Sequence, residues 1–465
     1  MAKKKVEELT IEEKLNNALI PVDKQPYEIP KNWCWVRLEA IGNLISGQDV
    51  DIKKCNKNKI GLPYLMGASN LNDNIFIPER WIENPEVVSF KDDILISVKG
   101  TIGKIYYQKE EKINISRQIM AIRPFDFIKS NYLYYFLHII SNELKILGRG
   151  LIPGIRRRDI LNHSFPLPPL AEQERIVNKL DNYISKLNEA KEKLEKVVDT
   201  YNYRKNLILH RAFTGQLTKN WRKENKFELY DDIKKKAITK DSMLPDEYLY
   251  EIPENWRWVR LSDIGEIVTG NTPNTKDKSY FGGNVPFIKP AELDQEENII
   301  SSAETLTEKG KNISRSVRKG STCICCIGTI GKCGFLRVES VTNQQINTVI
   351  PYDFLDDLFV YYYCSSKFFK TVIRERSCAT TIYIINKTKT SKLPFPLPPL
   401  EEQKEIVKIL DSILSKEKQV KEIAEKEIER VEDLKKNLLT RAFGGILGTN
   451  DPNEENSIEL LKSVL

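Results

Sequence analysis

The chain has 465 residues, too many for one compact core and enough for two to four domains. Its 40% hydrophobic and 29% charged residues are those of a globular protein. Lys+Arg 72 against Asp+Glu 65 leaves a net charge of +7, which permits an anionic partner without requiring one.

Residues 1–26 open with Met1-Ala2-Lys3-Lys4-Lys5 and read as a charged helical segment without the apolar run of a signal peptide. No stretch approaches the roughly 20 apolar residues that cross a bilayer. A cytoplasmic protein with eight reduced cysteines is therefore expected. Residues 27–165 are rich in aromatic and β-branched residues with frequent turn signals. Within them, Asp93–Val98 and Gln118–Ile122 predict strands, and 131–146 predicts a helix. Residues 166–217 begin at Pro168-Pro169 followed by acidic residues, a helix start. Ile176, Leu180, Ile184, Leu187, Leu194, Val197 and Tyr201 then recur at three- and four-residue steps, and Gly215 follows as a stop.

Residues 218–249 read as a linker. Residues 250–395 repeat the mixed pattern, with strands at Thr322–Ile327 and Gln345–Ile350 and a helix over 354–370. Residues 396–447 predict a second long helix through Ile406, Leu410, Ile413, Val420, Ala424, Val431, Leu434 and Leu438, with Gly444 as its stop. Residues 448–465 form a tail, read as a short helix near the N-terminus.

The chain is thus one module written twice. Residues 27–47 match 250–270 at an offset of 223, and Gly-Thr-Ile-Gly-Lys recurs at 100 and 328, an offset of 228. Phe-Pro-Leu-Pro-Pro-Leu recurs at 165 and 395, and Arg-Ala-Phe at 211 and 441, both at 230. The offset drifts through the mixed part and is fixed over the helical part. The fold class expected is α+β: two globular domains and two helices of equal length. Each helix of roughly 40 residues would span about 60 Å, and alone would be marginal in water. Antiparallel pairing of the two into a coiled coil is the simplest remedy, with a domain at each end and a pseudo-two-fold repeat.

The Tyr-Glu-Ile-Pro-x-Asn-Trp-x-Trp-Val-Arg-Leu opening, the Gly-Thr-Ile-Gly-Lys strand end and the Pro-Leu-Pro-Pro-Leu-x-Glu-Gln helix start resemble the specificity subunit of type I restriction-modification enzymes. So does Arg211–Thr218 followed by Trp221-Arg222, and the resemblance covers nearly the whole chain in order. It implies two target-recognition domains, each reading one half of a bipartite double-stranded DNA site, and a coiled coil that sets their spacing. It also implies docking of two adenine-N6 methyltransferase subunits, with restriction/translocase subunits joining in some complexes. No cofactor is expected in this chain: S-adenosylmethionine would sit in the methyltransferase partner, and ATP and Mg²⁺ in a restriction partner. No membrane partner is implied.

Candidate DNA contacts are residues that can approach phosphate or base edges. Lys99, Gly100, Thr101 and Lys104, with Thr329 and Lys332 in the second copy, follow a strand end. Arg149, Arg156, Arg157 and Arg158 form a basic cluster, and Arg374 and Arg376 stand near the corresponding place. Gln118, Gln344 and Gln345 begin strands, and Ser46, Gly47, Gln48, Thr269 and Asn271 follow them. Each also has a bland reading as turn, cap or solvated face.

Three temptations are declined. Cys323, Cys325, Cys326 and Cys333 align at an offset of 228 with Leu95, Ser97, Val98 and Ile105, which are strand positions and not a metal site. His138, His163 and His210 form no triad or ligand set. Gly-Thr-Ile-Gly-Lys is not a phosphate-binding loop, and Pro398-Pro399 follows Leu397 and not the Asn or Asp of an adenine methyltransferase. Two alternatives stay open from the sequence: a related restriction system with a fused catalytic partner, and a coiled-coil scaffold that binds protein.

Overall fold

The structure, a computed structural model, describes residues 10–72, 75–150, 153–225, 227, 250–379 and 382–464. The first nine residues, most of the 218–249 linker, and Thr380 and Thr381 lie outside them. The chain divides into two units, Met1–Leu194 with Lys426–Leu465, and Glu195–Glu425.

In the first unit the Trp-rich opening forms strand Cys34–Arg37, antiparallel to Ser164–Leu167. The Phe-Pro-Leu run is therefore a strand in its own right before the helix begins. Between these lies a four-stranded antiparallel sheet in the order Ile105–Tyr107, Ile94–Ser97, Ile119–Pro124, Gly42–Ser46. Alternation along a strand sends neighbouring side chains to opposite faces. Ile94 and Ile96 share a core with Leu133, Phe136, Leu137 and Ile140 of helix Ser130–Ile146. Leu95 and Ala121 share another with Leu65, Ile113 and Ile115 of a five-stranded sheet. Burial on both faces explains the unbroken apolar runs in the sequence.

The second unit repeats the plan. Arg257–Arg260 pairs with Pro394–Leu397, and a sheet runs Gly265–Thr269, Ile346–Pro351, Thr322–Cys325, Cys333–Phe335. Its companion sheet has four strands in place of five, and the offset moves from 223 to 228 across this region. The single helix expected over 354–370 is two, Asp357–Ser365 and Lys367–Arg376. Ser366 is extended at φ −65°, ψ 151°, and its Oγ accepts from the Phe369 N–H at 3.2 Å, capping the second helix. Cys323 and Cys325 lie in one core, and Cys326 and Cys333 in the other. Burial pushes the Cys323 and Cys326 thiols up to about 12 and Cys333 to about 11.

The long helices are Leu170–Asp199 continued by Tyr201–Phe213, and Leu400–Phe443. The expected continuous first helix is interrupted at Thr200, whose Oγ1 donates to the Lys196 carbonyl at 2.6 Å. Backbone bonds from Thr200 to Lys196 and from Arg204 to Thr200 carry the ladder across. Both units show antiparallel pairing. In the first, Lys191 pairs with Glu432 at 2.9 Å while Lys179 donates to the Leu447 carbonyl. In the second, Lys421 stands over the Tyr201 ring while Arg204 pairs with Glu417 at 2.7 Å. Ile176, Leu180, Ile406 and Leu410 are fully buried, but Val420 and Leu434, counted into the seam from sequence, are 47% and 46% exposed. A two-helix seam is narrow, and these two positions fall on its flank. The second stop is Gly445, at φ 68°, and not Gly444; it is the counterpart of Gly215, at φ 71°.

The Glu-Gln of the helix start seats each domain on its helix. Glu172 Oε2 accepts from Trp33 Nε1 at 2.7 Å and Asn450 Nδ2 at 2.9 Å, and Oε1 accepts from Thr449 Oγ1 at 3.1 Å. Glu402 Oε2 accepts from Trp256 Nε1 at 2.9 Å and Asn255 at 3.2 Å, and Oε1 accepts from Thr218 at 2.7 Å and Arg222 Nε at 2.9 Å. Gln173 and Gln403 each donate to the carbonyl of the first proline in Pro-Pro, Pro168 and Pro398. Asp181 and Asp411 accept from Tyr135 and Tyr362. In the first unit the tail completes the seat: Arg175 makes a two-armed pair with Glu454 at 2.7 Å, and Ser457 donates to the Asn32 carbonyl.

Candidate nucleic-acid interface

The strand directions bring most of the candidate residues of each unit to one end of its four-stranded sheet. In the first unit Gly42–Ser46 ends there, Ile94–Ser97 ends there, and Ile119–Pro124 begins there. Ser46, Gln48, Thr101, Lys104 and Gln118 are exposed along this rim, and Lys99 is half-buried. The chain at 149–150 and 153–158 is laced onto it. Gly100 N–H donates to the Pro153 carbonyl at 2.8 Å, Ile155 N–H to Val98 at 3.0 Å, and Val98 N–H to Gln118 at 2.8 Å. Arg149 exchanges both backbone bonds with Gly154. Arg157 donates to Ser46 Oγ at 2.8 Å, and Arg156, Arg157 and Arg158 are all exposed at the start of helix Arg157–Leu161.

The second unit carries the same frame. Gly328 N–H donates to the Tyr383 carbonyl at 3.0 Å, Ile385 N–H to Cys326 at 3.0 Å, and Cys326 N–H to Gln345 at 2.8 Å. Gly100 and Gly328 hold φ of 76° and 83° with open space where a Cβ would lie, so conformation alone requires glycine there. Gly47 is held by contact: a Cβ would stand 2.2 Å from the Ser116 carbonyl oxygen.

The frame corrects one correspondence. The short helix Arg157–Leu161 has its counterpart in Lys387–Ser391, with Asn386 as N-cap where Arg156 stands in the first copy. The second-copy counterparts of the arginine cluster are therefore Asn386, Lys387 and Thr388, and not Arg374 and Arg376. Those two lie in the last turn of Lys367–Arg376, where the Arg374 guanidinium stands 5.2 Å from the Tyr383 ring centre. Sequence reasoning missed Lys387 because arginine clustering was its signal, and two lysines alternating with threonines, Lys387 and Lys389, give none.

Several candidates already have protein partners. Lys104 Nζ donates to the Leu71 carbonyl at 2.6 Å, and Lys332 pairs with Asp294 at 2.8 Å. Thr269 donates to Asn347 Oδ1, Asn271 Oδ1 accepts from the Arg315 N–H, and Thr272 donates to Gln344. Arg157, Gln118 and Lys387 on the rims, and Thr329 at the second turn, keep exposed side chains able to meet a ligand. Among the described residues, no group of three or more His, Cys, Asp or Glu could hold a metal ion, and no helix is long and apolar enough to cross a membrane.

Two α+β domains with equivalent polar rims, each seated on an antiparallel helix pair by a repeated Glu-Gln, define a chain with two similar candidate interfaces. The type I restriction modification DNA specificity domain matches residues 30–199 and 253–430. The chain belongs to that family: it is a DNA-specificity subunit with two recognition domains, and not an enzyme. It is similar to the specificity subunit of the type I restriction enzyme EcoDI from Escherichia coli, with 26% identity over 90% of each chain. It is also similar to that of MjaIX from Methanocaldococcus jannaschii, with 32% identity over 38% of this chain and 42% of the relative. In fold it resembles a chain solved in a study of type I restriction-modification complex assembly, at TM-score 0.68 and 19% identity over 91% of this chain and 100% of the other. It also resembles the HsdS subunit of Thermoanaerobacter tengcongensis, at 0.55 and 20% over 92% and 100%.

Proposed function

We propose that the rim of each four-stranded sheet is the edge that meets DNA, so that the two domains read the two halves of one bipartite site. The observation that carries this is the shared backbone frame bearing unlike side chains: Arg156-Arg157-Arg158 on one rim and Asn386-Lys387-Thr388 on the other. Equal frames present side chains at equal depth to a groove, and unlike side chains select unlike bases. Arg157, Gln118, Lys387 and Thr329 are the leading contacts. Lys104 and Lys332, tied to Leu71 and Asp294, serve as phosphate contacts only after exchanging partners.

The paired helices fix the separation of the half-sites, as rigid spacers do between paired readers. Their flanks, with Val420 and Leu434 open, receive two methyltransferase subunits that flip and methylate adenine using their own S-adenosylmethionine. Restriction subunits supplied with ATP and Mg²⁺ complete some assemblies, and the complex works in the cytoplasm. Methylome sequencing of cells carrying the intact system tests the reading. The expected result is one motif of two separated half-sites, and exchanging residues 27–165 for another reader should change one half alone. A single contiguous motif would sink it.

A further inference from the structure

In the second unit one short loop touches both the rim and the long helices. Asp294 pairs with Lys332 of the rim turn at 2.8 Å. Two residues on, Glu296 pairs with Lys205 of Tyr201–Phe213 at 2.9 Å, and Glu297 pairs with Lys418 of Leu400–Phe443 at 3.5 Å. Three acids within four residues therefore face cations on three different elements.

The loop reaches all three with Glu296 at φ 49°, ψ −114°, a backbone that non-glycine residues keep only where their surroundings hold it. It is held on both sides. Phe335 N–H donates to the Glu296 carbonyl at 2.8 Å, and Arg337 Nε donates to the Glu297 carbonyl at 2.9 Å. Leu293, at the head of the loop, is buried in the core beside Cys323. Lys205 keeps only 18% of its side chain exposed, so it is not a freely swinging lysine.

We propose that the loop Leu293–Asn298 is a brace that fixes the angle of the second recognition domain on its helix pair, making Asp294, Glu296 and Glu297 positioning residues for where that domain meets DNA. The inference rests on the proposed reading of the rims. Each ion pair is individually weak, but Glu296 and Glu297 hold two different helices while Asp294 ties the loop to the rim of its own domain, so a tilt of the domain on the helix pair strains the two helix contacts. The tolerance is small, because a slip of about 3.4 Å along the duplex is one base pair.

The test uses the chain assembled with its methyltransferase partner. Methylation is measured by sequencing on substrates whose half-sites stand at the native spacing, or one base pair closer or farther. Glu296→Gln with Glu297→Gln should raise relative methylation at the wrong spacings about fivefold, the scale of one exposed ion pair. Both half-site sequences should stay the same. The charge swap Lys205→Glu with Glu296→Lys should restore native spacing. Unchanged spacing discrimination in the double glutamine variant overturns the brace. Should that variant methylate nothing, the charge swap decides: recovered native spacing supports the brace and an inert swap overturns it. A wild-type motif that is not two-part removes the underlying reading, whatever the variants do.

Discussion

Replacing Glu402 and Glu172 by glutamine separates two seats that the repeat makes look alike. Glu402 accepts on one oxygen from Trp256 and Asn255 and on the other from Thr218 and Arg222. A glutamine in either orientation turns its NH₂ toward donors. Thr218 could reverse its hydroxyl, but the Arg222 guanidinium and the Trp256 indole have no acceptor form. Glu402→Gln therefore loses the Arg222 pair or leaves the buried indole N–H unmatched, at a cost of about 2–3 kcal/mol. Glu172 differs at one oxygen, where the sole hydrogen-bond donor among the described residues is the Thr449 hydroxyl. Rotation of that hydroxyl lets it accept from the new amide, so Glu172→Gln should cost about 1 kcal/mol or less. Urea unfolding followed by tryptophan fluorescence reads both seats, because Trp33 and Trp256 are themselves the donors. Equal losses in the two variants, or a larger loss for Glu172→Gln, would refute this account of the seats.

Three further outcomes are expected. Gly445→Ala should lower stability by about 2 kcal/mol or more, because φ is 68° and a Cβ would stand 2.3 Å from Pro30 Cγ. Gly444→Ala, whose nearest contact would be 3.2 Å, should be close to neutral in the same melt. Lys387→Ala should weaken duplex binding and lower the log–log salt slope by about one if the lysine meets a phosphate; an unchanged slope would move it off the backbone. Inserting four residues (about 6 Å) between 181 and 194 should change the half-site spacing or abolish binding, read by the same methylome assay, while either half-site sequence survives.

Much of this fold is legible in the sequence because burial writes it there. The strands at 94 and 322 and the helix at 130 follow from apolar runs, and the long helices from their period. What was not legible depends on tertiary contacts or on one residue's geometry. Ser366 ends a helix in the middle of an apolar run, and only its cap to Phe369 shows why. Gly444 and Gly445 are indistinguishable as letters, and the positive φ separates them. The rim residues were found as turn and strand-end positions, but their partners were not. Ser46 meets Arg157 across 111 positions of sequence, and Lys104 meets the Leu71 carbonyl through a loop whose path no local pattern specifies.

The seat under the first domain has a consequence in time. Its carboxyl group, Glu172, waits for Thr449 and Asn450, and Arg175 waits for Glu454, 279 residues downstream. The second seat needs nothing beyond Asp411. At roughly 5–20 residues per second of synthesis, that gap is about 15–55 s. Over that interval the first reader emerges from the ribosome without the groups that later fix its base, while the second is made and closed. The half of the chain that is written first is thus the half that is finished last. Nascent chains arrested near residue 460, with Glu402 clear of the ribosome and Thr449 and Glu454 still inside it, should then be cut by protease around Trp33 and spared around Trp256, and equal protection would show that the first seat closes by another route.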